Sequence, residues 1–103
     1  MDLEDFYGAT TDFTKSIELN PNYGKAYTNR GASKRILKDY HGALADLTKA
    51  IELIPNDKYA YLNRAYAKNG LNDRAGACND ARKAQSLGID ESDLKEIIRL
   101  TCN

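Results

Sequence analysis

LKDYHGALADLTKAIELIPND at residues 37–57 repeats LEDFYGATTDFTKSIELNPNY at residues 3–23, with 12 of the 21 aligned positions identical. The offset is 34 residues. The same offset carries AYTNRG at 26–31 onto AYLNRA at 60–65, and Gly42-Ala43 onto Gly76-Ala77. Residues 24–57 and 58–91 share 13 identities. A fixed period of this size marks a stack of one small unit on copies of itself, each covering its neighbour's apolar face. Such a stack presents an extended surface suited to binding.

Residues 24–57 define one unit. Ala26, Tyr27, Ala32, Ile36 and Leu37 recur at close to a helical period over 24–38. Tyr40, Ala43, Leu44, Leu47, Ala50, Ile51 and Leu53 make an i, i+3, i+4, i+7 ladder over 39–54, the pattern of an amphipathic helix. A short polar turn, Leu37-Lys38-Asp39-Tyr40, separates the two. Asp39 suits the N-cap of the second helix, and Pro55 ends it. A connection this short makes the helices antiparallel neighbours, helix A then helix B. Small residues at Ala26, Gly42, Ala43 and Ala50 let the backbones approach, and Tyr27, Tyr40 and Leu47 fill the space between them.

With Tyr27, Arg30-Gly31, Lys38-Asp39-Tyr40, Ala43, Leu47, Ala50 and Pro55 at this spacing, the chain resembles the tetratricopeptide repeat family over almost its whole length. The Asn-Arg pair of helix A looks like a common variant. The resemblance implies an all-α fold, a right-handed α-solenoid of helical hairpins, whose A helices line a concave groove.

The two ends depart from the period. Residues 3–23 read as a half repeat, helix B only: Phe6, Ala9, Phe13, Ser16 and Pro21 fall on B positions, with no helix A before them. An uncovered B helix exposes Phe6, Phe13 and Ile17, each worth about 1.5–3 kcal/mol when buried. The expectation is self-association or domain swapping through this end. After the full repeat at 24–57, residues 58–90 form a degenerate repeat, in which Arg74 and Ala81 replace expected aromatics and Gly88 closes the last B helix. Asp90 and Ser92 then offer N-caps for a capping helix at 91–102, with Leu94, Ile97 and Ile98 as its apolar stripe.

The implied groove places Lys25, Thr28, Asn29, Ala32, Arg35 and Ile36 on its first A helix, and Tyr59, Leu62, Asn63 and Tyr66 on its second. Asn29 and Asn63 are the expected peptide contacts, because an amide can donate to and accept from an extended backbone. The bland alternative is an Asn bonded within its own scaffold. Asp12, Asp46 and Asp80 recur on the B helices, and Arg30 and Arg64 stand where the family carries an apolar residue. Helix faces turn each arginine toward one of these aspartates as a structural ion pair, since a buried guanidinium needs a carboxylate.

Lys and Arg together number 15 and equal Asp plus Glu, so net charge names no partner. The A helices are nevertheless rich in bases and poor in acids; only Lys25 and Arg35 of these face the groove, so an acidic ligand stands beside the plainer reading of a solvated basic face. The expected partner is a peptide or helix of another protein, and the alternative is an assembly element that oligomerises or domain-swaps. With one histidine and scattered carboxylates, no catalytic constellation, metal set or cofactor motif can be assembled. No nucleic-acid-reading motif is present, nor any apolar run long enough for a membrane span. Some members of the family grip the C-terminal carboxylates of heat-shock chaperones with a two-carboxylate clamp. This chain matches that clamp at Asn29 only, with Tyr59 and Asn63 where it needs lysine and arginine, so that ligand is not implied. Cys78 and Cys102 share no metal-ligand spacing and read as small core residues in a reducing, cytoplasmic setting.

Overall fold

The computed structural model describes residues 2–103, which form six helices: α1 (Leu3–Leu19), α2 (Gly24–Ile36), α3 (Tyr40–Leu53), α4 (Lys58–Gly70), α5 (Arg74–Ser86) and α6 (Glu91–Thr101). No strand occurs among the described residues. The fold is an all-α solenoid of helical hairpins, α2–α3 and α4–α5, flanked by α1 and α6.

Local chemistry sets the helix ends at the repeat period. The Asp39 carboxylate accepts from the Gly42 N–H at 3.0 Å, and Asp73 does the same for Gly76 at 2.9 Å. Each such cap is worth about 1 kcal/mol. At the other end of helix A the chain turns through a left-handed residue, Lys38 at φ 64° and Asn72 at φ 67°. The N–H of Asp39 then bonds the Lys34 carbonyl and that of Asp73 the Lys68 carbonyl, both at 2.8 Å. Gly88, at φ 104°, makes the same closure after α5. Glycine is the easiest residue to place in this conformation, and two of the three turns are made without it.

The six helices fall into two rows. Helix α2 packs on α4 and α4 on α6, whereas α1, α3 and α5 do not touch one another. A stack whose A helices meet while its B helices stand apart bends toward the A side. The inner row is therefore α2, α4 and α6, and the outer row is α1, α3 and α5. Alanines make most of the interior. Ala43, Leu47, Ala50, Ala60 and Ala67 form one buried cluster with Tyr27 and Tyr40 against it. Ala65, Ala81, Ala84, Ile89, Leu94 and Ile97 form a second, which joins α6 to the last hairpin.

Three expectations require correction. Cys78 and Cys102 are not free core thiols: they form a disulfide between α5 and the residue that follows α6. Their separation of 24 residues fits no motif, and only the antiparallel return of α6 along α5 brings them together. The basis for expecting a reducing compartment goes with the free thiols. Second, Phe6, Phe13 and Ile17 are half-buried, because α1 lies against α2. The large apolar side chains most open to water near this end are Leu19, Tyr7 and Leu3, at 88, 61 and 51% exposure. Third, Asp90 holds the N-cap position of α6, but neither Asp90 nor Ser92 caps the helix through its side chain.

Candidate functional site

The inner row carries the candidate site, and the Arg–Asp pairs set its frame. Arg30 donates from Nε and Nη2 to the two carboxylate oxygens of Asp46, at 2.8 and 2.7 Å. Arg64 meets Asp80 in the same way at 2.8 and 2.9 Å. Lys34 and Lys68, one turn further along each A helix, add contacts of 3.1 and 3.0 Å to the same carboxylates. The hydrogen bond to its aspartate raises the pKa of each arginine further, which fixes the charge. Each guanidinium also reaches back to the preceding B helix: Arg30 Nη1 lies 3.1 Å from the Thr14 hydroxyl, and Arg64 Nη1 3.5 Å from that of Thr48. Thr–Arg–Asp thus binds each hairpin internally and to the unit before it. Thr14 and Thr48 were not singled out from the sequence, although their common period was there to be found.

Asp12 departs from this pattern. Its register companions Asp46 and Asp80 are buried, whereas Asp12 is exposed and forms no ion pair among the described residues. The physical reason is spacing. Each arginine stands 16 residues before its aspartate, so Arg30 serves Asp46 and Arg64 serves Asp80, and neither reaches Asp12.

The expected groove residues divide into four groups, the last of them Arg35 with Asn63. Lys25, Asn29 and Tyr59 are exposed, and the Lys58 ammonium sits 5.5 Å from the Tyr59 ring centre. Thr28 leaves the groove altogether: it is buried, and its hydroxyl bonds the Asp57 carboxylate at 2.6 Å. Asp57 in turn caps α4 through the N–H groups of Tyr59 and Ala60. A side chain read as facing ligand therefore locks one repeat to the next. Ala32, Ile36, Leu62 and Tyr66 are half-buried, and Leu62 and Tyr66 pack on the C-terminal core cluster.

Asn63 is spent within the scaffold. Its Oδ1 accepts from Arg35 Nε at 2.9 Å, and its Nδ2 donates to the Tyr59 carbonyl at 2.9 Å. Arg35 thereby bridges α2 to α4, with its guanidinium 4.8 Å from the centre of the Tyr66 ring. It makes no ion pair among the described residues. Burial lowers its pKa, with only the Tyr66 and Tyr40 hydroxyls opposing. Tyr66 moves the other way: burial and the nearby Glu96 push its hydroxyl pKa up. Arg35 and Tyr66 border an open cleft of about 220 Å³, with Tyr40, Asn69, Gly70, Glu96 and Leu100 completing its lining. Arginine over an aromatic face, beside amides and a neutral phenol, is suited to receive a carboxylate. Among the described residues no group of three or more His, Cys, Asp or Glu side chains is placed to hold a metal, and no helix is long and apolar enough to cross a membrane.

Comparison with known proteins gives the same architecture. The tetratricopeptide repeat family model matches residues 24–57. The Arabidopsis OM64 TPR domain superposes with a TM-score of 0.90 at 29% identity, over 97% of this chain and 84% of that one. The TPR2B domain of yeast Sti1, solved as a pHsp70 complex, gives 0.82 at 29% identity, over 96 and 82%. The first TPR domain of Spaghetti (RPAP3), bound to the HSP90 peptide SRMEEVD, gives 0.88 at 22% identity, over 96 and 79%, a likeness of fold. No curated protein matches the sequence. One matched repeat and a series of counterparts built from the same hairpin lead to a single conclusion: residues 24–57 are a tetratricopeptide repeat, and the chain is folded as tetratricopeptide repeat domains are.

Proposed function

We propose that this chain is a protein-interaction module that holds an extended segment of a partner across its inner row, with Asn29 contacting the segment's backbone and Arg35 receiving an acidic side chain. The observation that carries the reading is Arg35, a half-buried guanidinium in an open cleft that forms no ion pair among the described residues, Glu96 of the same cleft included. Burying a charge without a partner is costly, and a ligand carboxylate removes that cost. The similarity to the Sti1 domain, a structure solved with a pHsp70 ligand, supports peptide binding as the kind of activity. The heat-shock clamp itself is not proposed, because Tyr59 and Asn63 stand in place of its basic residues.

An array of acidic and neutral peptides, probed with the protein and followed by fluorescence anisotropy on the best binders, tests this reading. Acidic peptides should bind preferentially. Arg35→Gln should weaken them about tenfold or more, the worth of a charge-assisted hydrogen bond, and Asn29→Ala by less. Lys49→Gln, on the outer row, should leave binding unchanged. An array without binders, or binders indifferent to Arg35 and Asn29, would overturn the proposal. A second role, self-association through α1, is favoured by one observation: α1 has no buried residue, whereas α3, one period later, buries four.

A further inference from the structure

Both ends of the stack break the Thr–Arg–Asp register, and they break it in complementary ways. At the N-terminal end, α1 supplies an outer-row helix with its aspartate, Asp12, exposed and unpaired among the described residues. Ala9, Asp12, Phe13 and Ser16 on α1 correspond to Ala43, Asp46, Leu47 and Ala50 on α3, all of which are buried by the neighbouring inner-row helices. At the C-terminal end, α6 continues the inner row beyond α4, and among the described residues no outer-row helix follows it. One period on from Thr14 and Thr48 stands Arg82, and one period on from Arg30 and Arg64 stands Ile98. The guanidinium has moved from the inner-row helix to the outer-row helix before it. Arg82 is exposed, and among the described residues its side chain bonds Gln85 on its own helix, at 3.3 Å.

Between α5 and α6 lies an open cleft of about 750 Å³, with Leu94 and Ile98 among its lining residues and with Arg82, Lys95 and Arg99 against the single acid Glu91 in its lining. The cleft is rich in bases, whereas α1 carries Glu4, Asp5, Asp12 and Glu18 against Lys15. We propose that the α5–α6 cleft receives α1 of a second copy of this chain, so that α6 and the incoming α1 complete a hairpin and Arg82 pairs with Asp12 of the next molecule. This names the interface for the assembly role above and rests on that reading. In the arrangement, Asp12 takes the place of Asp46 and Asp80. Arg82 supplies the guanidinium that Ile98 lacks, and Ile98 meets the half-buried Phe13 and Ile17. The contact is head to tail, so repeated copies extend the solenoid and do not stop at a symmetric dimer.

Charge reversal tests the pairing. Sedimentation velocity on the 103-residue chain, from about 10 μM to about 1 mM to cover weak association, should show mass rising with concentration. Arg82→Asp and Asp12→Arg should each raise the dissociation constant about tenfold, as expected for a coupled charge pair. Both residues are exposed, so circular dichroism should be unchanged. Mixing the two variants should restore association, because each head then meets a tail of opposite sign, and the double variant should self-associate like the parent. Recovery on mixing is a result that misfolding cannot produce. A parent chain that stays monomeric throughout overturns this interface and the assembly role together. Association that ignores both reversals, or reversed variants that fail to recover on mixing, overturns the interface and leaves assembly by another surface.

Discussion

Asp46 and Asp12 are one residue of the repeat in two different environments, and the difference has energetic consequences. Asp46 receives Arg30 and Lys34 where its side chain is only 6% exposed. Asp46→Ala would leave both cations facing a partly dry interface, at a cost of about 2–4 kcal/mol. Asp12→Ala removes a solvated carboxylate and should leave the urea midpoint of the monomer within error. Equal midpoints for the two variants would refute the view that the ion pair fastens the hairpin. The Arg–Asp register could be read from the sequence because the period repeats it. The fate of Thr28 and Asn63 could not. A hydroxyl facing ligand and one facing the next helix cap occupy the same sequence position, and the Asp57 carboxylate that decides between them lies 29 residues away.

At the scale of the helix pair, the two hairpins solve one packing problem with different volumes. In α2–α3, Gly31 faces Leu47, and a methyl group added at Gly31 would come within 2.6 Å of the leucine Cγ. One period later the same two positions hold Ala65 and Ala81, both fully buried. Glycine opposite leucine has become alanine opposite alanine. Gly31→Ala alone should therefore overpack the first hairpin and cost about 1–3 kcal/mol. With Leu47→Ala in the same chain, the damage should be less than the sum of the two single changes, since that pair exists in α4–α5. Strictly additive denaturation midpoints would show that the two side chains do not meet. The A and B helices were legible in their periodic apolar positions. The exchange of volume across the hairpin becomes visible only once the facing partners are known.

At the scale of the whole molecule, the disulfide fastens the last helix to the stack. It closes a loop of 24 residues between Cys78 and Cys102, which on loop-entropy grounds stabilises the fold by up to about 3 kcal/mol. Reduction, or Cys102→Ser, should lower the melting temperature and raise amide exchange in α6 before that of α3. A melting temperature indifferent to reductant would remove this role. The sequence by itself determined the repeat, its two-helix unit, the turn positions and the Arg–Asp register, because each depends on residues within a single period, where local helix geometry and capping govern. The tertiary structure alone decided that the cysteines bond, that Phe6 and Phe13 are half-covered, that Thr28 and Asn63 are held within the scaffold, and that Arg35 is left without a carboxylate. Those outcomes depend on which faces meet when α2, α4 and α6 close into one row, and the separations across that row are set by packing, which the period does not encode.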